Sequence, residues 1–298
     1  MRSRSLFLAA LSVVVLAVAG CSGADAGDEP RPLVLGGIPD QDVRVLEERF
    51  GGIAEALTER VGIPFEYRPA TSYAAVVTAF QNGDVLLGWF GGLTGVQARL
   101  AVPGAEAVAQ RPIDQDFRSV FIVGQDVEAE TLTDLAGLRF TFGSESSTSG
   151  HLMPRHFLRQ EGLDPDEDFD GRPGYSGSHD KTWKLVEAGS FEAGALNAAV
   201  WDAAVEAGEV DTGRVRALTQ TPPYVDYHWV LHPDVDERYG EGTSERIIEA
   251  LLSMSAEDGA VVAEALALFE TDRFIPAHDD DYAQIETVAR DLGLIARE

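Results

Sequence analysis

The chain has 298 residues, 45% of them apolar, which is enough to bury a sizeable core in one large domain or two lobes and excludes a disordered chain. Its 23 Lys and Arg stand against 50 Asp and Glu, a formal net charge of −27, which excludes nucleic acid as a partner because phosphate backbones demand a basic face. The single cysteine, Cys21, excludes an intramolecular disulfide framework and every multi-cysteine metal site.

Met1 to Ser5 carries two arginines, and Leu6 to Gly20 is an almost unbroken apolar run ending in small residues. The run is ~15 residues long, short of the about 20 that a bilayer-spanning helix needs, and it has the layout of a secretory signal. Val18-Ala19-Gly20-Cys21 resembles the bacterial lipoprotein box, which implies cleavage before Cys21 and lipidation of that residue. Cleavage would remove Arg2 and Arg4 and take the net charge from −27 to −29. Residues 21–31 are small, polar and Pro-containing, as a tether should be, so the folded body is expected from Pro32.

Leu33 to Gly37 reads as a strand, and Val43, Leu46, Phe50, Ile53, Leu57 and Val61 then recur at spacings of three and four on one helix face. Gly62 and Pro64 stop that helix, and a strand follows over 65–68. Ser72 caps a helix through Phe80, and Val85 to Phe90 is the next strand. A helix is expected over 93–100, then strands over 105–110 and 117–123. After Thr131 the cadence restarts, with strands at 138–142, 172–175 and 193–196 and helices at 150–160 and 181–187. Such alternation predicts an α/β fold with parallel sheets in two lobes. Strands at 215–218 and 227–231 and three further helices then return the chain to the first lobe. The expected division is 32–124 plus 229–298 for lobe 1 and 125–228 for lobe 2, with two hinge crossings near 121–128 and 224–231.

The densest chemical signal is Gly143-Ser144-Glu145-Ser146-Ser147-Thr148-Ser149-Gly150, lying between a strand and a helix. Free N–H groups at that helix start, with hydroxyls on Ser147, Thr148 and Ser149, would cradle an anion; a plain Ser-rich cap is the competing reading. It is not a nucleotide-binding loop of the Walker type, because His151 stands where the phosphate-touching lysine would be. Ser176-Gly177-Ser178-His179-Asp180 occupies the corresponding junction of the next unit, and His179 there is either an anion donor or a polar helix-start residue.

These features together resemble the substrate-binding proteins of ABC importers for phosphonate, phosphite and related oxyanions, a two-lobed periplasmic-binding-protein type II fold with a two-strand hinge. The resemblance runs from about Leu33 to Leu294 and is carried by FGSESSTSGHLMP (142–154), SGSHD (176–180), ALNAAVWD (195–202) and TPPYVDYHW (221–229). It implies that Ser147, Thr148, Ser149 and His179 hold the oxyanion, that Tyr73 in SYAAVV closes over it, and that Trp89 or Phe90 in GWFGG supplies an aromatic contact. Asp226 corresponds to the family's aspartate near the second hinge crossing. Members that bind aminoalkyl phosphonates carry a glutamate near the segment aligned with Asn197 to Val200, and this chain has no acid there, which disfavours an ammonium-bearing ligand. Trp201 nearby suggests a smaller, drier pocket. A carboxylate at Asp226 would repel an oxyanion unless the ligand keeps a proton, as phosphite, phosphate or phosphonate can and sulfate or selenate cannot. Yet GGLTGVQAR and SSTSGHLMPR also resemble a subgroup assigned to selenate, so the anion's identity stays open. The partners implied are a small oxyanion, a permease and ATPase, and the membrane through a lipid on Cys21; the chain is expected to be monomeric, without a cofactor or metal.

Two acidic stretches are set aside. Asp164 to Gly171 lacks the glycine and glutamate positions of a calcium loop, and the acids at 279–281 suit the start of a helix. Catalysis is not expected: there is no G-x-S-x-G elbow, and His179 beside Asp180 is not a triad. A binder of an uncharged or aromatic solute and a lipoprotein hydrolase are the alternatives from other classes.

Overall fold

The computed structural model describes residues 31–296, so the signal segment, Cys21 and all but the end of the expected tether lie outside the described residues. The first lobe opens with β1 (Leu33–Gly37), α1 (Val43–Val61), β2 (Phe65–Tyr67), α2 (Tyr73–Gln81), β3 (Leu87–Phe90), α3 (Gly92–Ala101) and β4 (Glu106–Gln110). The second contains β5 (Ser119–Gly124), β6 (Phe140–Phe142), a π-helical turn (Thr148–Leu152) running into α4 (Met153–Gln160), β7 (Gly174–Tyr175), α5 (His179–Glu187), β8 (Ala193–Asn197), α6 (Ala198–Glu206) and β9 (Val215–Gln220). The chain then returns through β10 (His228–Leu231), α7 (Val235–Tyr239), α8 (Thr243–Leu252), α9 (Ala260–Leu268), β11 (Ile275–Pro276) and α10 (Ala283–Asp291).

The first sheet has the order β11-β4-β10-β3-β1-β2 and the second β7-β6-β8-β5-β9. Both are mixed rather than parallel throughout. β1 runs parallel to β2 and β3, and β6 parallel to β7 and β8, as the βαβ cadence requires. The antiparallel members include the strands next to the crossings: β10 against β3 and β4, and β5 against β8 and β9.

That pairing corrects the boundary expected at residue 124. β5 belongs to the second sheet, so the outgoing crossing lies over 111–118, not 121–128. Its Val-Phe-Ile-Val run is apolar enough for either sheet, and only its partners decide. The return crossing covers 221–227 and overlaps the expected 224–231 only over 224–227, because β9 ends at Gln220 and β10 already begins at His228. The two crossings are stitched together where Phe117 and Tyr224 exchange both backbone hydrogen bonds, at 2.8 and 3.0 Å.

Packing follows strand alternation. Val120 and Ile122 of β5 point to one side, against Trp183, Leu196 and Trp201, while Phe121 and Val123 join Phe140, Phe142 and Phe169 on the other. Trp201 is thus second-lobe core, because the buried stripe of α6 comprises Val200, Trp201 and Ala204; it does not wall the cleft as expected. In the first lobe Phe50, Trp89, Trp229, Phe269 and Phe274 form one aromatic cluster.

Candidate functional site: an interlobe cleft

The carboxyl ends of β1, β3 and β6 and the starts of α2, α3 and α5 meet where the lobes face each other, the usual place for a ligand in an open α/β sheet. On the second-lobe side, Ser147 caps the π turn, its Oγ accepting from the Gly150 N–H at 2.9 Å. The N–H groups of Thr148 and Ser149 at this turn donate to no other group among the described residues. Ser119 Oγ donates to the Ser149 carbonyl at 2.7 Å and also meets Tyr224 Oη at 2.6 Å, bracing the turn from β5. Ser147, Thr148 and Ser149 are all buried.

His179 is the first residue of α5 and is buried. Its Nδ1 accepts the Asn197 backbone N–H at 3.3 Å, so the ring proton sits on Nε2, which donates to Tyr227 Oη at 3.2 Å. Burial pushes the imidazole down to about 4 despite Asp40 and Asp180, so the ring is a neutral donor at physiological pH. Tyr227, having accepted that bond, keeps its own proton to offer. His151, in the place of the Walker lysine, is different: Nε2 accepts from Arg155 Nε at 2.9 Å and Nδ1 donates to the Glu145 carbonyl at 2.7 Å, which spends both nitrogens on structure.

From the first lobe, Ser72 caps α2 and sets Tyr73 at its first position, buried, with a hydroxyl that has no hydrogen-bond partner among the described residues. Burial first, then Asp40, raises the phenol well above its ordinary range, so it stays protonated. The start of α3 offers two backbone donors across the cleft: Gly92 N–H to Asp226 Oδ1 at 2.8 Å and Leu93 N–H to Thr148 Oγ1 at 2.9 Å. The Asp40 carbonyl accepts the His179 N–H at 3.0 Å. A Cβ on Gly91 would stand 3.1 Å from both Asp226 Oδ1 and Thr148 Oγ1, so the lobes meet this closely only over a bare backbone.

Asp226 lies in the return crossing and is wholly buried. Its N–H donates to the Asp114 carbonyl at 3.0 Å and its Oδ1 accepts from Gly92, while Oδ2 has no hydrogen-bond partner among the described residues. Desolvation carries its pKa up to about 7; the Gly92 N–H opposes the shift, Asp114 adds to it, and the hydroxyls of Thr148 and Ser149 pull it back. A carboxylate titrating near neutrality and walled by hydroxyls can share a proton with a ligand oxygen.

The structure therefore brings Tyr73, Ser147, Thr148, Ser149, His179 and Asp226 together and places the two aromatic candidates elsewhere. Phe90 turns into the first-lobe core, edge-on to Phe80 at 5.5 Å. Trp89 packs in the aromatic cluster, stacked on Tyr227 with ring centroids 5.8 Å apart. Beside it the buried Arg111 guanidinium sits 5.6 Å from Trp89, 5.9 Å from Phe117 and 5.1 Å from Tyr227, paired with Asp114 at 2.7 Å. Tyr227, Asp40 and the Gly92 and Leu93 donors are site groups that motif reading missed. Asp40 carried one usable signal, since it follows the carboxyl end of the first parallel strand. Among the described residues no cluster of three metal-binding side chains occurs.

Two lobes, two crossings between them and a cleft lined with hydrogen-bond donors are the architecture of a solute-binding protein. The family described as "ABC transporter, phosphonate, periplasmic substrate-binding protein" matches residues 35–282, and the chain belongs to it. It is 40% identical over 272 residues to the probable ABC transporter phosphite binding protein PhnD1 of Prochlorococcus marinus, covering 89% of this chain and 91% of that one. It is 27% identical over 206 residues to the phosphate-import protein PhnD of Mycolicibacterium smegmatis, covering 63% of this chain and 64% of the relative. The solved structure of the Prochlorococcus protein in complex with methylphosphonate superposes with a TM-score of 0.86 at 41% identity, covering 89% of this chain and all of that one. The fold is that of the periplasmic binding proteins, and the chain is the extracytoplasmic binding component of an ABC transporter.

Proposed function

We propose that the cleft captures a small tetrahedral oxyanion that retains one proton, phosphite or a short alkylphosphonate, and delivers it to a membrane permease and its ATPase. The observation that carries this reading is the buried Asp226 with one unpartnered oxygen beside the Thr148 and Ser149 hydroxyls. A ligand P–OH would donate to Oδ2, or a protonated Asp226 to a ligand oxygen; either way one proton lies between them. The remaining oxygens would take the Ser147, Thr148 and Ser149 donors, the Tyr73 hydroxyl and the Tyr227 hydroxyl that His179 Nε2–H holds in place. A fully ionised sulfate or selenate would face a carboxylate with no proton to share at alkaline pH. The relatives' ligands support the choice of phosphorus oxyanions, and a cleft formed between two lobes of one chain supports a monomeric capture unit.

Attachment through a lipid on Cys21 is part of the same proposal, supported by the Val18-Ala19-Gly20-Cys21 box and the tether after it. Mass spectrometry of the membrane-extracted protein should find a diacylglyceryl adduct on Cys21; an unmodified, soluble chain would overturn the anchor. The ligand test is calorimetry against phosphite, methylphosphonate, phosphate, aminoethylphosphonate, sulfate and selenate at pH 6.5 and 8.5. Phosphite or methylphosphonate should bind most tightly and weaken at the higher pH. Tight, pH-independent binding of sulfate or selenate would defeat the role given to Asp226.

A further inference from the structure

Asp226 is held by more than its side chain. Its carbonyl oxygen meets His228 Nδ1 at 3.1 Å, and the other ring nitrogen, Nε2, lies 3.0 Å from Arg99 Nη1. An arginine only donates, so Nε2 must accept; the single ring proton is then on Nδ1 and is given to the Asp226 carbonyl. Arg99 is itself fixed by Asp279 at 3.3 Å, and the same Asp279 oxygen accepts the Ala107 N–H at 2.9 Å. The His228 ring lies on Tyr282 with centroids 3.7 Å apart, and a Cβ at Gly95 would stand 2.3 Å from it, so the imidazole is clamped from two sides. Burial and the Arg99 charge keep it neutral.

We propose that His228, locked by Arg99 in its Nδ1–H form, is a positioning residue for Asp226 and thereby a determinant of which oxyanion the cleft accepts. The relay runs Asp279, Arg99, His228, Asp226 carbonyl. It fixes the backbone so that Oδ1 stays on the Gly92 N–H and leaves Oδ2 for the ligand's proton. Without it the carboxylate would move out of register, and the penalty that a non-protonated anion pays for facing it would fall. This inference rests on the reading of Asp226 as proton-sharing partner.

The test measures phosphite affinity and sulfate competition at neutral pH for the mature protein and the variants H228Q, H228N, R99M and D226N, with melting temperatures recorded for each. Glutamine keeps a polar end near the Nε2 position for Arg99 but has nothing at Nδ1, whereas asparagine restores a donor near Nδ1. H228Q should lose about tenfold in phosphite affinity, the scale of one buried hydrogen bond. Its sulfate competition should hold or strengthen, so the selectivity narrows. H228N should recover most of that selectivity, and R99M should fall between H228Q and the parent because the ring remains while its tautomer is freed. If H228Q does not fold, R99M carries the test. Equal weakening of both anions in H228Q and R99M, or no change in either, while D226N alone alters selectivity, would overturn the positioning role and leave the Asp226 reading standing. Unchanged selectivity in D226N would overturn that reading and this inference with it.

Discussion

The two walls of the cleft are built differently. The second-lobe wall is braced from within: Ser147 by the Gly150 N–H, the Ser149 carbonyl by Ser119, His179 by the Asn197 N–H. The first-lobe wall is braced from within at Ser72 and Thr94, but its Gly92 and Leu93 N–H groups find their acceptors outside the lobe, on Asp226 and Thr148. A half-site whose side chains are held by its own lobe can receive the anion in the open state, and one whose backbone donors gain acceptors on contact acts as the closing jaw.

The sharpest way to break this contrast is at the receiving wall. T148A/S149A should weaken phosphite binding by about 2–5 kcal/mol, since each hydroxyl removed leaves a desolvated ligand oxygen short of a donor; unchanged calorimetric affinity would remove the wall from the site. G91V acts on the jaw alone. Its side chain would enter the 3.1 Å gap to Asp226 and Thr148, and the overpacking should cost about 2–3 kcal/mol of affinity. Small-angle scattering of the ligand-saturated variant should show lobes still apart at an unaltered melting temperature, and a closed profile would show that contact across Gly91 is not needed.

The third prediction concerns pH. Asp226 binds its proton up to about 7 when folded, above the ordinary carboxylate value, so between those two pH values folding takes up a proton and this group's contribution to stability falls as pH rises. His151 and His179, pushed down to about 4, have the opposite sign, adding stability as pH climbs from about 4 to the ordinary imidazole value. The unliganded protein should therefore gain stability between about pH 4 and 6.5 and level off above pH 7, where Asp226 is ionised folded or unfolded, and D226N should steepen that gain, its advantage over the parent growing by roughly 2–3 kcal/mol between pH 5 and pH 8. Parallel melting curves across pH would count against a titrating Asp226. Smallest is Y73F: the hydroxyl lacks a partner, so its loss should leave the melting temperature level while affinity falls by about 0.5–1.5 kcal/mol. Undiminished affinity would mean that Tyr73 only fills space.

Much of this was legible because it was local. The cap at Ser72, the βαβ rhythm and the STSG turn are short-range patterns, and the sequence places them where the structure has them. What required coordinates was pairing between distant segments. The β5 run reads the same in either sheet, so the crossing moved once its partners were known. Trp89, Phe90 and Trp201 are aromatic residues near motif positions, and strand or helix register turned each of them into core. Backbone donors leave no mark in a sequence beyond the glycines that expose them, which is why the Gly92 and Leu93 contacts were not anticipated.

Arg111, packed among Trp89, Phe117 and Tyr227, gives the protein its own optical reporter. Of the four tryptophans, Trp183 and Trp201 lie in the second-lobe core and Trp229 in the first, while Trp89 alone stacks on the ring whose hydroxyl meets His179. Its emission is sensitive to a nearby charge and to motion of Tyr227, so anion capture should be visible as a change in intrinsic fluorescence that W89F abolishes. Occupancy could then be followed in real time without attaching a dye.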